Sequence, residues 1–555
     1  MKKNIITILV LGIAILIAII TRGYKLGEAP AGLYLDEAGQ GYSAYSILKT
    51  GKDEFGKSFP IVFRSFTDFK TPVYVYLVVP LIPIFGLTTF TVRFPSFIFS
   101  ILTIPVLYFL IKHLSKNNLL ALISVILLSI SPWHILFGRT NFECNVALFF
   151  FLAGSLAFYI SLKKPWVLII SAILFAIAIP SYHAQRIVTP LMLIILFLRH
   201  KKILLSKTHF KYLLIGAILG FIITLPTLSI ATTPGFLARA SGLNIFTVKQ
   251  SAGVINNYHG FLSIVVNNKI FLSLQEFGSL YLSYFSPRNI SVLGDSGPRS
   301  SFPELATFFV WQFPFYIYGL YLIVKNKKLR EFRFFTLAFL LIAPIPAALT
   351  RDPYSTIRSL QMVIPIIISI AYAIVELHGK IKKQNLKILF WIGFIVLIIY
   401  SLLKLYSSVI ILNEHYRGED WDYGWKSATD VIHSFDKNLP VIVDNSRNEP
   451  YIQLAFFLKT DPVIFQHENF EVPISEYYTN MNRNKDKIVE APNGQKLFTR
   501  PINWERDLLV HQYLIGDELA ISLQQIKEHN LTFIKEIDYP DGTVALRIVE
   551  TNPRK

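Results

Sequence analysis

The constraint that dominates this chain is the recurrence of apolar runs long enough to cross a bilayer. A hydrocarbon core about 30 Å thick needs roughly 20 helical residues, and runs of about that length return from the first residues to about residue 411. Inside lipid each backbone amide must find its partner within its own segment, so runs of this kind fold as helices. The first, 4–20, follows Lys2 and Lys3 without an obvious small-residue cleavage site, which predicts an anchor rather than a removed signal peptide. Further spans are expected near 94–111, 119–137, 145–161, 166–180, 187–198, 212–231, 305–324, 334–349, 358–376 and 387–411, giving about eleven.

Charge orients them. The net charge of +18 would suit a nucleic-acid partner, but the lysines and arginines stand in short clusters between apolar runs, where orientation signals belong. The stretch 73–87 is apolar but short, and it is broken by Pro80 and Pro83. If it spans, Lys112, His113, Lys116 and every later basic cluster fall outside. If it lies at the surface, the clusters at 163–164, 199–202, 325–333 and 378–383 all fall inside. The second arrangement is the coherent one. It predicts a cytoplasmic N-terminus, with everything after about 412 outside.

Three large segments then lie outside: 22–93, 232–304 and the tail. The expected organisation is a transmembrane catalytic domain over 1–411 and a small soluble α/β domain over 412–555, because the tail replaces long apolar runs with mixed charge. Within it 440–443 and 544–549 read as strands, 427–435 as a helix, and Asp541-Gly542 as a hairpin turn. The single cysteine, Cys144, excludes an internal disulfide framework and a cysteine-based metal cluster. The chain shows no Walker-type loop, dinucleotide fingerprint or zinc-binding His-Glu motif.

In a chain with only 16% charged residues, ionisable side chains beside lipid need a reason. Asp36 and Glu37 stand together just past the first span, with Lys70 at the other end of the same loop. Arg139 and Glu143 lie at the outer end of the third span, His183 and Arg186 at that of the fifth, and Arg351, Asp352 and Arg358 between the ninth and tenth. Such a set suits transfer from a lipid phosphate. Cations hold a phosphate that gains charge as it leaves, for which Lys70, Arg139, His183, Arg186 and Arg358 are candidates. A carboxylate takes a proton from the attacking group, and Asp36 is the first choice, with Glu37 the second catalytic candidate beside it. Glu143 aligns the acceptor or completes a divalent-cation site with Asp36. Simpler roles stand beside these. Glu37 caps the helix expected over 38–48, Glu143 pairs with Arg139, Lys70 and Arg186 anchor at headgroups, His183 only hydrogen-bonds at the interface, and the aromatics of 421–425 form an interfacial belt.

The order Asp36-Glu37, Lys70-Thr71-Pro72, Phe85-Gly86, Arg93-Phe94-Pro95-Ser96, then Ser131-Pro132-Trp133 and Glu143, resembles the GT-C glycosyltransferases. More narrowly it resembles the branch with protein O-mannosyltransferases and the lipid A aminoarabinose transferase. The likeness covers about residues 1–200. It implies a sugar donor carried on polyprenyl phosphate and used on the outer face of the membrane. It makes Asp36 catalytic, Glu143 the second acidic position, and Lys70 the lysine near the donor phosphate. The family holds metal-dependent and metal-independent members, so no metal follows.

The resulting expectation is a polytopic GT-C-like glycosyltransferase that acts with inversion on an unidentified acceptor in the cell envelope. The rival class is a transporter or lipid flippase. A transporter's ionisable groups should lie near mid-membrane on broken helices, commonly in two related halves, and no halves repeat here.

Overall fold

The computed structural model describes residues 2–66, 68–236, 269–350 and 352–553. Part of the expected later outer loop, 237–268, and Arg351 lie outside the described residues. The chain divides into two compact units, each discontinuous in sequence. The first contains residues 1–24, 96–232 and 236–408; the second contains 25–95, 233–235 and 409–555.

Each expected span falls at least in part on helix, the one expected at 305–324 only from Gln312 onward. Among the described residues seven helices are long and apolar enough to cross a membrane: Ile5–Gly23, Thr89–Ser115, Cys144–Ser161, Lys207–Ser229, Arg330–Leu349, Leu360–Lys380 and Gln384–Arg417. The run expected as one span at 119–137 is instead two helices, Asn118–Ser129 and Pro132–Arg139, bent by 57°. The cause is local. Ser131 caps the second helix by accepting the His134 amide, and Pro132 sits at its first position, where the missing N–H costs nothing. Pro72–Phe85 and Val167–Ser181 are shorter apolar helices.

Within the first unit helices pack through small residues, as they do where lipid gives no hydrophobic gain from association. The helix Gln312–Lys325 lies against Val363–Lys380 at Gly319. A Cβ at Gly319 would fall 1.8 Å from the Ser369 carbonyl oxygen, so only glycine allows that approach.

The second unit is built on a six-stranded sheet. Its strands follow a hairpin of β1 (Phe63–Ser65) and β2 (Asp68–Lys70), and are β3 (Val441–Val443), β4 (Lys487–Glu490), β5 (Lys496–Thr499), β6 (Tyr513–Gly516), β7 (Thr532–Asp538) and β8 (Val544–Glu550). The order is β4-β5-β3-β6-β8-β7, with β3 parallel to both neighbours and the outer pairs antiparallel. β3 is the buried run Val-Ile-Val, the pattern of a strand covered on both faces. Ile442, Leu514, Ile521, Leu531 and Val549 form one core cluster. Gly542, at φ +88°, makes the expected turn between β7 and β8.

Candidate active site

Asp36 and Glu37 open the helix Leu35–Thr50 of the second unit, which packs on the helix Pro450–Phe457. Acids in a first turn face the positive end of the helix dipole, and both lie there. Their side chains diverge. Glu37 is fully buried: its Oε1 accepts Arg93 Nε at 3.0 Å, and its Oε2 accepts Arg93 Nη2 at 2.8 Å and the Tyr34 amide at 3.3 Å. Arg93, also fully buried, donates as well to the carbonyls of Leu26, Pro30 and Gly32 at 3.3, 3.0 and 2.8 Å. One guanidinium thus ties the loop before the helix to the helix itself. Arg93 entered the sequence reading only as part of a motif and a boundary. The one available signal was a cation at the head of an apolar run.

Asp36 keeps a partly exposed carboxylate, and its Oδ2 meets Lys70 Nζ at 2.7 Å. Lys70 closes β2, directly opposite Phe63 of β1, and the next residues, Thr71 and Pro72, begin the helix Pro72–Val78. The hairpin and the helix start fix the lysine from both sides. This ion pair is 18% exposed on the aspartate side and 8% on the lysine side, so the lysine is buried and the aspartate partly shielded from water.

The C-terminal part of the same unit holds this loop. Gly32, at φ +92°, lies so close to the 421–423 backbone that a Cβ would come 2.2 Å from the Trp421 carbonyl oxygen. Trp421 is 1% exposed; its ring stands edge-on to Tyr34 at 6.3 Å and lies 5.7 Å from the Arg93 guanidinium. The expected interfacial belt is therefore corrected: Trp421 and Trp425 are both buried inside the unit, and Trp421 makes cation–π and edge-on contacts there.

A second buried polar group lies in this unit. Tyr477 donates its hydroxyl to Asp53 at 2.5 Å and accepts the Arg64 amide at 2.7 Å. Burial pushes the Asp53 carboxyl up to about 6 against the opposing hydrogen bonds, and burial together with the Asp53 charge raises the Glu54 carboxyl well above its ordinary value.

The remaining candidates belong to the first unit. Arg139 is fully buried and donates to the carbonyls of Thr21 and Tyr24 at 3.0 and 2.7 Å, closing the end of the first helix. Glu143 is 6% exposed at the N-cap of Cys144–Ser161. His183 stands edge-on to Tyr182 at 6.3 Å. The Arg186 guanidinium lies 4.0 Å from the Phe236 ring and donates to that residue's carbonyl at 3.3 Å. Arg358 pairs with Asp352 and donates to the Thr350 hydroxyl, both at 3.1 Å. Among the described residues, no three or more His, Cys, Asp or Glu side chains gather as a metal-binding group.

Residues 69–230 match the family model of dolichyl-phosphate-mannose-protein mannosyltransferases. No curated protein matches the sequence significantly. Among solved structures the chain is similar to ArnT from Cupriavidus metallidurans bound to undecaprenyl phosphate, at 10% identity and a TM-score of 0.52, covering 99% of each chain. It is also similar to the archaeal oligosaccharyltransferase AglB from Archaeoglobus fulgidus, in complex with an inhibitory peptide and a dolichol-phosphate. There the identity is 13% and the TM-score 0.50, over 93% of this chain and 70% of that one. The likeness to the GT-C fold expected from the residues is borne out. Glycosyltransferase is the enzyme class, and the protein is a multi-pass membrane protein.

Proposed function

We propose that this GT-C-fold chain moves a sugar from a polyprenyl-phosphate donor to an acceptor on the outer face of the membrane, with inversion. The N-terminus is then cytoplasmic and the soluble domain over 412–555 extracytoplasmic. The observation that carries the reading is the Lys70–Asp36 pair at 2.7 Å: a partly exposed carboxylate and a buried cation held together by two different elements. The ammonium has three N–H donors. One stays on Asp36 while the others reach a phosphate.

The chemistry follows from that arrangement. The acceptor's hydroxyl or amine attacks the anomeric carbon from the face opposite the phosphate. The bond between that carbon and the phosphate oxygen breaks, and polyprenyl phosphate departs with the electron pair. Lys70 stabilises the charge that grows on the leaving oxygen, and Asp36 takes the proton the nucleophile loses. Glu37 serves by position, since Arg93 and the Tyr34 amide occupy its carboxylate. Glu143, Arg186 and Arg358 are the next candidates for acceptor and donor contacts. Arg139 and His183 follow them. A polyprenyl phosphate bound in ArnT and a dolichol-phosphate in AglB support a donor of this class.

The test supplies purified protein with radiolabelled undecaprenyl-phosphate sugars, mannose first, and membrane extracts as acceptor. The wild type should release undecaprenyl phosphate and label an acceptor. Asp36→Asn should abolish transfer while inserting normally, and full activity in that variant refutes the assignment.

A further inference from the structure

The helix that carries Asp36 has an unusual N-terminus. The first four amides of a helix have no partner inside it, and the first here belongs to Leu35, one residue before Asp36. That amide donates to Asp422 Oδ2 at 2.8 Å, 387 residues away in sequence. Gln453 joins the same point. Its Nε2 donates to the Leu33 carbonyl at 2.5 Å and lies 3.4 Å from Asp422 Oδ2.

Asp422 is shaped for this contact. It sits at φ +52° with Gly424 at +103°, so the 419–424 turn uses the left-handed region twice. A non-glycine residue there costs free energy unless its surroundings hold it. Trp421, buried against Arg93 and Tyr34, supplies that hold, and Gly32 lets the turn's backbone close on the loop. An anionic acceptor at this position also matches the helix dipole.

We infer that Asp422 is a positioning residue for transfer: through the Leu35 amide it sets where the Asp36 carboxylate stands relative to Lys70. The inference rests on the reading of Asp36 as the proton acceptor. It gives the chain after the last span a task in the reaction, since Asp422 and Gln453 both belong to that part of the second unit. A displaced carboxylate costs rate rather than donor affinity, because a shift of about 1 Å removes roughly 100-fold from a well-oriented reaction.

The experiment compares full-length wild type, Asp422→Ala and Asp422→Asn. Three quantities are measured: hydrogen exchange at the Leu35 amide, kcat with the undecaprenyl-phosphate sugar the wild type uses, and the affinity for undecaprenyl phosphate alone. Asp422→Ala should speed Leu35 exchange and lower kcat by about 10- to 100-fold, with undecaprenyl phosphate affinity within about 2-fold of wild type. Asp422→Asn keeps an acceptor oxygen and should recover most of both losses. If Asp422→Ala does not accumulate, Gln453→Ala should give the same split. Unchanged kcat or unchanged Leu35 exchange in Asp422→Ala overturns the inference. So does a raised acceptor KM at constant kcat, which would put Asp422 against an acceptor in the cavity of about 450 Å³ that it lines with Glu419, Tyr423, Trp425 and Tyr539. A wild type that transfers from no donor refutes the proposed function instead, while exchange still reports on the Leu35–Asp422 bond.

Discussion

Replacing Arg93 with methionine removes the cation that faces a fully buried carboxylate. Both side chains of the Arg93–Glu37 pair are 0% exposed, so solvent screening gives no relief. Breaking a buried pair from one side leaves an uncompensated charge and costs about 3–5 kcal/mol. The carbonyls of Leu26, Pro30 and Gly32 lose their shared donor as well, which adds to that figure. For a unit of this size about 2–4 °C accompanies each kcal/mol, so the apparent Tm of Arg93→Met in detergent should fall by about 10 °C or more. A double-mutant cycle with Glu37→Gln isolates the ion pair. Neutral glutamine still accepts the Tyr34 amide, so the double variant should lose less than the two singles together, though it will not return to wild type while three carbonyls stay unpaired. An Arg93→Met Tm within about 2 °C of wild type, or strict additivity in the cycle, would refute the reasoning.

Lys70→Met should weaken undecaprenyl phosphate binding by about 10- to 100-fold, the value of one or two charge-assisted hydrogen bonds, and also lower Tm, because Asp36 loses the cation of a mostly buried pair. Wild-type affinity in a lipid-phosphate binding assay would remove Lys70 from the donor site. Asp53 and Glu54 fix a pH dependence: their folded carboxyls titrate above the usual range, so the folded state holds protons the unfolded chain has released. That contribution is complete below about pH 4 and lost as pH rises through about 6. For Asp53 alone it reaches about 3 kcal/mol. Stability measured at pH 5 should therefore exceed that at pH 7.5, and Asp53→Asn/Glu54→Gln should shrink the difference; an unchanged difference disproves the assignment.

What could be read beforehand follows from how each signal is encoded. The spans were legible because the bilayer imposes one length and one polarity on every crossing segment. The acids of the first loop were legible because charge beside lipid is costly, and Glu37's cap role because a first-turn acid follows a local rule. The pairings were not. Glu37 meets Arg93 across 56 residues and Asp422 meets the Leu35 amide across 387, and no periodicity connects partners at such distances. Trp421 was misread because an aromatic after a span carries the same composition signal at an interface as in a core. The break at 130–131 did have a local signal, Ser131-Pro132, a cap and a first-position proline.

That break is also the feature that most favours a transporter, since transporters place ions at discontinuous helices. Its buried cation decides the matter by what it touches. Arg22 is fully buried and donates to the carbonyls of Leu128 and Ser129 at 2.9 and 2.8 Å, with a further contact to His134 Nδ1 at 2.8 Å. Those carbonyls end the helix Asn118–Ser129, where the Leu128 carbonyl also accepts the Ser131 amide at 3.2 Å. The arginine therefore completes the helix end beside the backbone amides, and its five donors are shaped for several acceptors at once. A pathway cation would tolerate lysine, which keeps the charge. A cap would not, because one ammonium cannot span three acceptors in that geometry. Arg22→Lys should then cost about 3 kcal/mol of stability, seen as a lower apparent Tm, through two lost charge-assisted hydrogen bonds. An Arg22→Lys protein as stable as wild type would return the break to the transporter reading.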